Sequence, residues 1–173
     1  MKPANLGSSV GISKVKGPED LRAALDDDPA VVARGIQARE VEVAVLGNDE
    51  PQVSVPGEVC FPGEWYDYDT KYGAGQTSLK IPAPLAPDVI AEVRALALRA
   101  FQATDCAGMA RVDFFIENDR RVLVNEINTI PGFTSTSVYA RLFEASGIPY
   151  GELLDRLIEL ALERHHRRSS LEY

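Results

Sequence analysis

The sequence predicts a fold that mixes strands and helices, of the α+β or α/β class. Residues 40–46 alternate valines with polar or small residues, which is the period of a half-buried strand. Residues 87–103 repeat apolar side chains every three to four positions, which is the pattern of an amphipathic helix that packs on one face. Both patterns occur more than once along the chain, and strands and helices follow one another in mixed order.

The other elements follow from the same two periods. Further strands are predicted over 10–15, 31–36, 52–55, 109–116 and 121–127, and further helices over 21–26, 138–145 and 150–164. Gly47-Asn48-Asp49 predicts the turn of one hairpin, and Asn118-Asp119 predicts the two-residue turn of another. The stretch Pro56–Pro87 keeps no period and predicts a long loop, which in a compact domain is usually functional or disordered.

Composition and charge exclude several classes of protein. The 173 residues are 45% hydrophobic and 25% charged, as in an ordinary globular protein of one or two small domains. The net charge of -8 offers no basic field for nucleic acid. No apolar run approaches the roughly 18 residues of a membrane span, and the first residues lack the apolar region of a secretory signal. Cys60 and Cys106 have no metal-ligand spacing and are predicted to be free thiols of a cytosolic protein.

The second hairpin is predicted to collect polar side chains on one face. If Asn118-Asp119 form the turn, Arg111 lies opposite Glu126, and Asp113 lies opposite Val124. The period of two then places four polar residues on one face: Arg111, Asp113, Glu126 and Asn128. The opposite face is predicted to be apolar and to consist of Val112, Phe114, Ile116, Leu123 and Ile127.

This polar face has the chemistry of a magnesium site. Two carboxylates and an amide oxygen suit Mg²⁺, which takes oxygen ligands, keeps waters and bridges to phosphates. The alternative is a solvated strand face with ordinary ion pairs. The spacing Arg-x-Asp with Glu-x-Asn, followed by a Pro-Gly loop, favours the metal.

Two loops are candidate anion sites. Backbone N–H groups of the small residues 7–11 can approach a phosphate closely, with Lys2 as a point charge, but a flexible turn has the same composition. The hydroxyl-rich loop 128–137 can form an oxyanion or carboxylate site at the start of the next helix. Ser135 or Ser137 is also a plain N-cap candidate for that helix, and the two roles are compatible.

Six motifs resemble the D-alanine–D-alanine ligase family of the ATP-grasp superfamily. They are KPANLGSSVGISKV, EVEVAVLGND, YDYDTKY, ARVDFF, LVNEINTIPGFTSTS and IPYGELLDRLIELA, and they extend over nearly all of residues 1–165. The resemblance implies an α+β fold of the ATP-grasp type, with antiparallel β-sheets flanked by helices and incomplete at the N-terminus. Residues 1–173 would be the C-terminal ATP-binding and catalytic portion, with the N-terminal domain absent.

The resemblance also implies a reaction and its partners. The family joins two D-alanines in an ATP-dependent reaction through an acyl phosphate, and it makes D-alanyl-D-alanine for peptidoglycan in the cytoplasm. Two Mg²⁺ ions, which Mn²⁺ can replace, bridge the phosphates. The expected partners are ATP and D-alanine, without nucleic acid or membrane, and the full-length family forms homodimers.

The motif match assigns roles to individual residues. The metal ligands would be Asp113, Glu126 and Asn128. The phosphates would contact Lys2 and Lys71, the ribose Glu40, and the adenine the backbone around Arg34 and Ile36. The oxyanion would contact Arg111 and the Gly132 N–H, and the carboxylate of the second D-alanine would contact Ser137. In the family, a tyrosine at Tyr72 bonded to a serine at Ser8 accompanies D-alanine as the second substrate, so an amine acceptor rather than D-lactate is expected.

Two departures from the family pattern leave alternatives open. Ala33 stands where the adenine hinge usually carries a glutamate. The family is also longer than this chain and has an N-terminal domain and a further phosphate-binding lysine. The alternatives are therefore another ATP-grasp carboxylate–amine ligase, and a truncated, inactive fragment that binds nucleotide.

Overall fold

The computed structural model describes residues 2–3, 15, 17–25, 30–31, 37–60 and 78–170. The chain divides into two compact units. The first comprises Met1–Gln37 and Phe61–Ser78, and the second comprises Ala38–Cys60 and Leu79–Tyr173.

In the first unit, a short strand pair and one helix are described. Strand β1 (Lys2–Pro3) pairs antiparallel with β2 (Ala30–Val31). Helix α1 (Pro18–Leu25) begins with proline and carries Glu19 and Asp20 in its first turn, where the helix dipole favours negative charge. Residues 10–14 of the strand predicted over 10–15, and residues 32–36 of the strand predicted over 31–36, lie outside the described residues.

The second unit is built on an antiparallel sheet flanked by helices. Its strands are β3 (Ala38–Gly47), β4 (Gln52–Val53), β5 (Gly57–Cys60), β6 (Ser78–Lys80), β7 (Gly108–Glu117) and β8 (Arg121–Asn128). The order is β6-β5-β3-β7-β8, with β4 paired to β3. The helices are α2 (Pro87–Ala103), α3 (Val138–Ala145) and α4 (Tyr150–Ser169). The hairpin at residues 47–49 and these three helices are confirmed, while the loop predicted over Pro56–Pro87 is wrong at both ends, where β5 and β6 lie.

Alternation along β3 builds a separate core on each face of the sheet. On one face, Val41, Val43 and Val45 are fully buried beneath α2, together with Phe101 of that helix. On the other face, Ala44 and Leu46 pack against the residues of α3 and α4: Tyr139, Ala140, Leu142, Phe143 and Leu153. This second core covers only one end of its face, so the other end of the same strands is left for polar residues.

Tyr139 ties the second core to the sheet. Its buried hydroxyl donates to the carbonyl of Val45 at 2.9 Å, and burial raises the pKa of Tyr139, so the hydroxyl keeps its proton. Tyr139→Phe removes this buried hydrogen bond and is expected to lower the free energy of unfolding by about 0.5 to 1.5 kcal/mol. Urea denaturation followed by circular dichroism measures this loss. Tyr150→Phe, in a half-buried ring of the same core, is the control; equal losses would contradict the assignment.

The β7–β8 register differs from the prediction. Glu117 lies opposite Arg121, so the turn has three residues rather than two. A bulge between Asp113 and Phe114 then shifts the register by one more residue. Asp113 therefore lies opposite Glu126, and Arg111 opposite Asn128; the predicted pairs Arg111 with Glu126 and Asp113 with Val124 are wrong.

The two shifts cancel in their effect on the faces. Each shift moves β8 by one residue relative to β7, so together they return residues 126 and 128 to the face on which they were predicted. The polar side chains of both strands therefore share a face as predicted. Between the turn and the bulge the parity stays inverted. Leu123 therefore lies opposite Phe115 on the polar face, whereas Val122 packs against the core beneath α2. The assignment of Leu123 to the core face is wrong for this reason.

Arg39 connects the β7–β8 turn to the rest of the sheet through four hydrogen bonds. Arg39 donates from Nε to Glu58 Oε1 at 2.6 Å and from Nη2 to Glu58 Oε2 at 2.9 Å. Its Nη1 donates to Asp119 in the turn at 2.8 Å, and Nη2 also reaches the carbonyl of Pro84 at 3.0 Å. The turn is thus bonded to β3, whose partner β5 supplies Glu58.

Candidate active site

The polar residues lie on the face of the sheet that points away from α2. Glu40 and Glu42 of β3 precede Ala44 and Leu46 on the same face, so this face changes from acidic to apolar along one strand. Across the sheet, Glu42 lies opposite Asp113. Three adjacent strands therefore contribute charged side chains to one patch.

Hydrogen bonds join these residues into a quartet. Arg111 donates from Nε to Asp113 Oδ1 and from Nη2 to Asp113 Oδ2, both at 2.7 Å. Asn128 Nδ2 donates to Asp113 Oδ2 at 3.1 Å and to Glu126 Oε1 at 3.4 Å. We call Arg111, Asp113, Glu126 and Asn128 the hairpin quartet. Asp113 is its centre, since it accepts bonds from both of the quartet's donors.

The patch is half-buried, which strengthens its electrostatics. The side chains of Arg111, Glu42 and Asp113 are 21%, 15% and 13% exposed. Burial lowers the pKa of Arg111, but the hydrogen bond with Asp113 and the charges of Glu42, Asp113 and Glu126 outweigh it and leave that pKa raised. Arg111 is therefore a permanent cation held among three carboxylates.

The quartet has the donor set of a magnesium site. Among the described residues, no three histidine, cysteine, aspartate or glutamate side chains form a metal-binding group. Magnesium does not require one, because it is commonly held by one or two carboxylates, waters and substrate phosphates. Asp113 and Glu126 are a cross-strand pair, and the Asn128 amide adjoins both. This donor chemistry fits Mg²⁺ that is bound together with a nucleotide.

The loop after β8 leads from the quartet to helix α3. Gly132 is exposed, and a Cβ built on it would meet nothing within 4 Å, so its backbone is open to a ligand. Ser137 occupies the N-cap position of α3 but makes no capping bond; its hydroxyl donates to the carbonyl of Thr134 at 2.8 Å. The interpretation of Ser137 as a capping side chain is therefore wrong.

The described residues contain part of the predicted site. Glu40 lies on the same face of the sheet as the hairpin quartet. The predicted residues Ser8, Arg34, Ile36, Lys71 and Tyr72 lie outside the described residues, as does the side chain of Lys2. Their roles stay predictions.

Glu42 is the residue of this patch that sequence reasoning missed. Its Oε2 lies 3.5 Å from Arg111 Nε, and it faces Asp113 across the sheet. The signal was present, because Glu40 and Glu42 alternate with buried valines and so must share a face.

Comparison with solved structures places the fold in a known class. The structure of the D-alanine-D-alanine ligase from Coxiella burnetii matches 98% of this chain and 46% of its own, with a TM-score of 0.78 and 40% identity. The VanG D-Ala:D-Ser ligase from Enterococcus faecalis matches 92% of this chain and 48% of its own, with a TM-score of 0.78 and 32% identity. The chain therefore has the α+β fold of ATP-grasp ligases.

Sequence comparison then gives the family. The model described as "D-ala D-ala ligase C-terminus" matches residues 1–159, and the chain belongs to this family. It is 52% identical to a D-alanine--D-alanine ligase of Heliobacterium modesticaldum over 97% of this chain and 48% of that relative. It is 49% identical to D-alanine--D-alanine ligase A of Escherichia coli over 99% and 49%. The chain thus spans about half the length of these relatives. None of the described helices combines the length and the apolar character that a bilayer span requires.

Proposed function

We propose that residues 1–173 form the C-terminal ATP-binding and catalytic portion of a ligase that joins two D-alanines. The γ-phosphoryl group of ATP passes to the carboxylate of the first D-alanine and ADP leaves. The amine of the second D-alanine then attacks the acyl carbon, and phosphate leaves. The observation that carries this proposal is the hairpin quartet, found in a chain of the D-alanine ligase family.

The carboxylates and the amide of the quartet form the cation-binding part of the proposed site. Asp113, Glu126 and Asn128 would hold Mg²⁺, whose charge when bound offsets that of the ATP phosphates. Glu40, on the same face, would accept hydrogen bonds from the ribose hydroxyls. Lys2 and Lys71 would add positive charge at the phosphates, and the backbone around Arg34 and Ile36 would face the adenine.

Two donors are proposed to stabilise the charge that develops on the reacting carboxyl oxygen. Arg111 supplies a permanent cation within a half-buried patch, where electrostatic interactions are stronger than in water. The Gly132 N–H, in an open stretch of the loop after β8, supplies the second donor. Ser137, at the start of α3, would bind the carboxylate of the second D-alanine.

The second substrate is proposed to be an amine. Tyr72 and Ser8 stand where the family carries the tyrosine and the serine that accompany D-alanine. Dipeptide is therefore expected to form faster than the ester with D-lactate at neutral pH. Incubation with D-alanine and equimolar D-lactate, followed by mass spectrometry, measures this ratio. Faster incorporation of D-lactate would contradict the assignment.

Product formation tests the proposed function. The chain is incubated with ATP, Mg²⁺ and D-alanine, and D-alanyl-D-alanine is measured by mass spectrometry. In a second arm, the chain replaces the matching half of the E. coli ligase A, to which it is 49% identical. Product that Glu126→Gln abolishes, in either arm, supports the proposal. The absence of product in both arms, with the intact E. coli enzyme active, would contradict it.

The cellular role follows from the product. D-Alanyl-D-alanine is a building block of peptidoglycan, so we place the activity in the cytoplasm, where ATP is available, and expect the complete protein to be a homodimer. No nucleic acid or membrane partner is part of the proposal.

A further inference from the structure

Arg111 occupies both oxygens of the carboxylate that a metal ion would need. Its Nε and Nη2 donate to Asp113 Oδ1 and Oδ2, each at 2.7 Å, in the bidentate geometry that makes arginine–carboxylate pairs strong. Asn128 donates a third bond to Oδ2. These three bonds use most of the roughly four lone-pair positions of the carboxylate. The guanidinium also places a positive charge beside the oxygens that a divalent cation would use, so the two cations compete for Asp113.

Glu42 is a second acceptor within reach of that guanidinium. It lies opposite Asp113 across β3 and β7, and its Oε2 is 3.5 Å from Arg111 Nε. A shift of less than about 1 Å converts this ion pair into a hydrogen bond. The side chain of Glu42 is only 15% exposed, so it offers the arginine a partner inside the site rather than in solvent.

On the basis of the proposed function, we infer that Glu42 is a positioning residue. When a divalent cation binds, the guanidinium of Arg111 shifts its hydrogen bonds from Asp113 to Glu42. Asp113 then faces the cation, and the guanidinium stays among the reacting groups. Without Glu42, Arg111 remains on Asp113 and competes with the cation. Arg111 and the cation are thus alternative partners of one carboxylate, and Glu42 favours the arrangement in which both stay in the site.

This exchange gives two opposite effects on cation affinity in the absence of nucleotide. Arg111→Met removes the competitor and is expected to tighten Mn²⁺ binding roughly tenfold, even though it removes a proposed catalytic group. Glu42→Gln is expected to weaken Mn²⁺ binding about tenfold, as loss of an outer partner of a metal ligand commonly does. In the Arg111→Met background, Glu42→Gln is expected to change Mn²⁺ affinity by less than about threefold, because Glu42 then has no arginine to bind.

The experiment is a titration of the full chain with Mn²⁺, with free Mn²⁺ followed by electron paramagnetic resonance. Glu42→Asp tests whether the length of this side chain matters apart from its charge, because it keeps the negative charge but moves the carboxylate away from Arg111. We expect its Mn²⁺ affinity to resemble that of Glu42→Gln. Glu159→Gln, on the exposed side of α4, is the matched control and is expected to leave affinity unchanged. Circular dichroism verifies that each variant is folded.

Three outcomes would overturn the inference. The first is an equal loss from Glu42→Gln with and without Arg111, which would mean that Glu42 acts on the cation directly. The second is weaker Mn²⁺ binding in Arg111→Met. The third is wild-type affinity in Glu42→Asp. Failure of the wild-type chain to bind Mn²⁺, with or without ATP, would instead overturn the proposed cation site and this inference with it.

Discussion

Asp113→Asn is expected to weaken Mg²⁺-dependent binding of a non-hydrolysable ATP analogue by about 100-fold, or about 2.8 kcal/mol. Asparagine keeps the shape of the side chain and one oxygen but removes the charge at the centre of the hairpin quartet. The side chain is only 13% exposed, so water compensates little for that loss. The substitution also takes from Arg111 the carboxylate that accepts two of its hydrogen bonds.

Isothermal titration calorimetry measures this effect with Mg²⁺ and with EDTA. The matched control is Asp155→Asn, which makes the same change on the exposed surface of α4 and is expected to leave affinity within about twofold. If Asp113→Asn and Asp155→Asn behave alike, the quartet does not take part in nucleotide binding.

Arg39→Met is expected to lower the free energy of unfolding by about 3 kcal/mol, which is a large part of the roughly 5 to 15 kcal/mol of a typical domain. The variant leaves Glu58, with a side chain 10% exposed, as a nearly buried carboxylate without the guanidinium that binds both of its oxygens. It also releases Asp119, and with it the turn that sets the β8 register. The quartet is expected to lose Mg²⁺ affinity as a consequence.

Urea denaturation of three variants tests this account of Glu58. Arg121→Met removes an arginine that is itself 62% exposed and pairs with Glu117, whose side chain is 16% exposed. Because Arg121 makes a single bond to this carboxylate, its loss is expected to cost less than about 1 kcal/mol. The double variant Arg39→Met/Glu58→Leu is expected to recover most of the loss, because an apolar pair replaces an isolated charge. Equal losses of unfolding free energy in Arg39→Met and Arg121→Met would contradict the claim that the contacts of Arg39 with Glu58 and Asp119 stabilise the sheet.

The strand and helix periods were sufficient to predict the sheet face and the main helices. The valines of β3 and the apolar positions of α2 could face only a core, so the acidic residues between the valines had to face away from it. Within each strand of the second hairpin the polar residues share a face by the same rule, whereas their meeting across the two strands depended on two register shifts that cancel.

The register of that hairpin could not be predicted, because two local features determine it. Asn118 and Asp119 both adopt φ of 53°, as expected for a tight turn, yet Arg120 joins the turn as a third residue. The bulge beside Asp113 depends on how β8 fits its neighbour, and no residue type marks it. Strands β5 and β6 were missed because they are only four and three residues long, beside glycines and prolines that interrupt any period. Glu42 was missed because its importance comes from β7, a strand that is distant in sequence.

The most direct test of the central claim is to locate a bound cation in the chain. Mn²⁺ is titrated into the ¹⁵N-labelled protein with a non-hydrolysable ATP analogue, and paramagnetic broadening of the backbone amides is followed by NMR. We expect the amides of residues 111–113 and 126–128 to broaden first, while those of the exposed half of α4 stay sharp. Broadening that begins instead around Asp49 and Asp105, which line a separate cavity near the end of α4, would contradict the assignment of the hairpin quartet as the cation site.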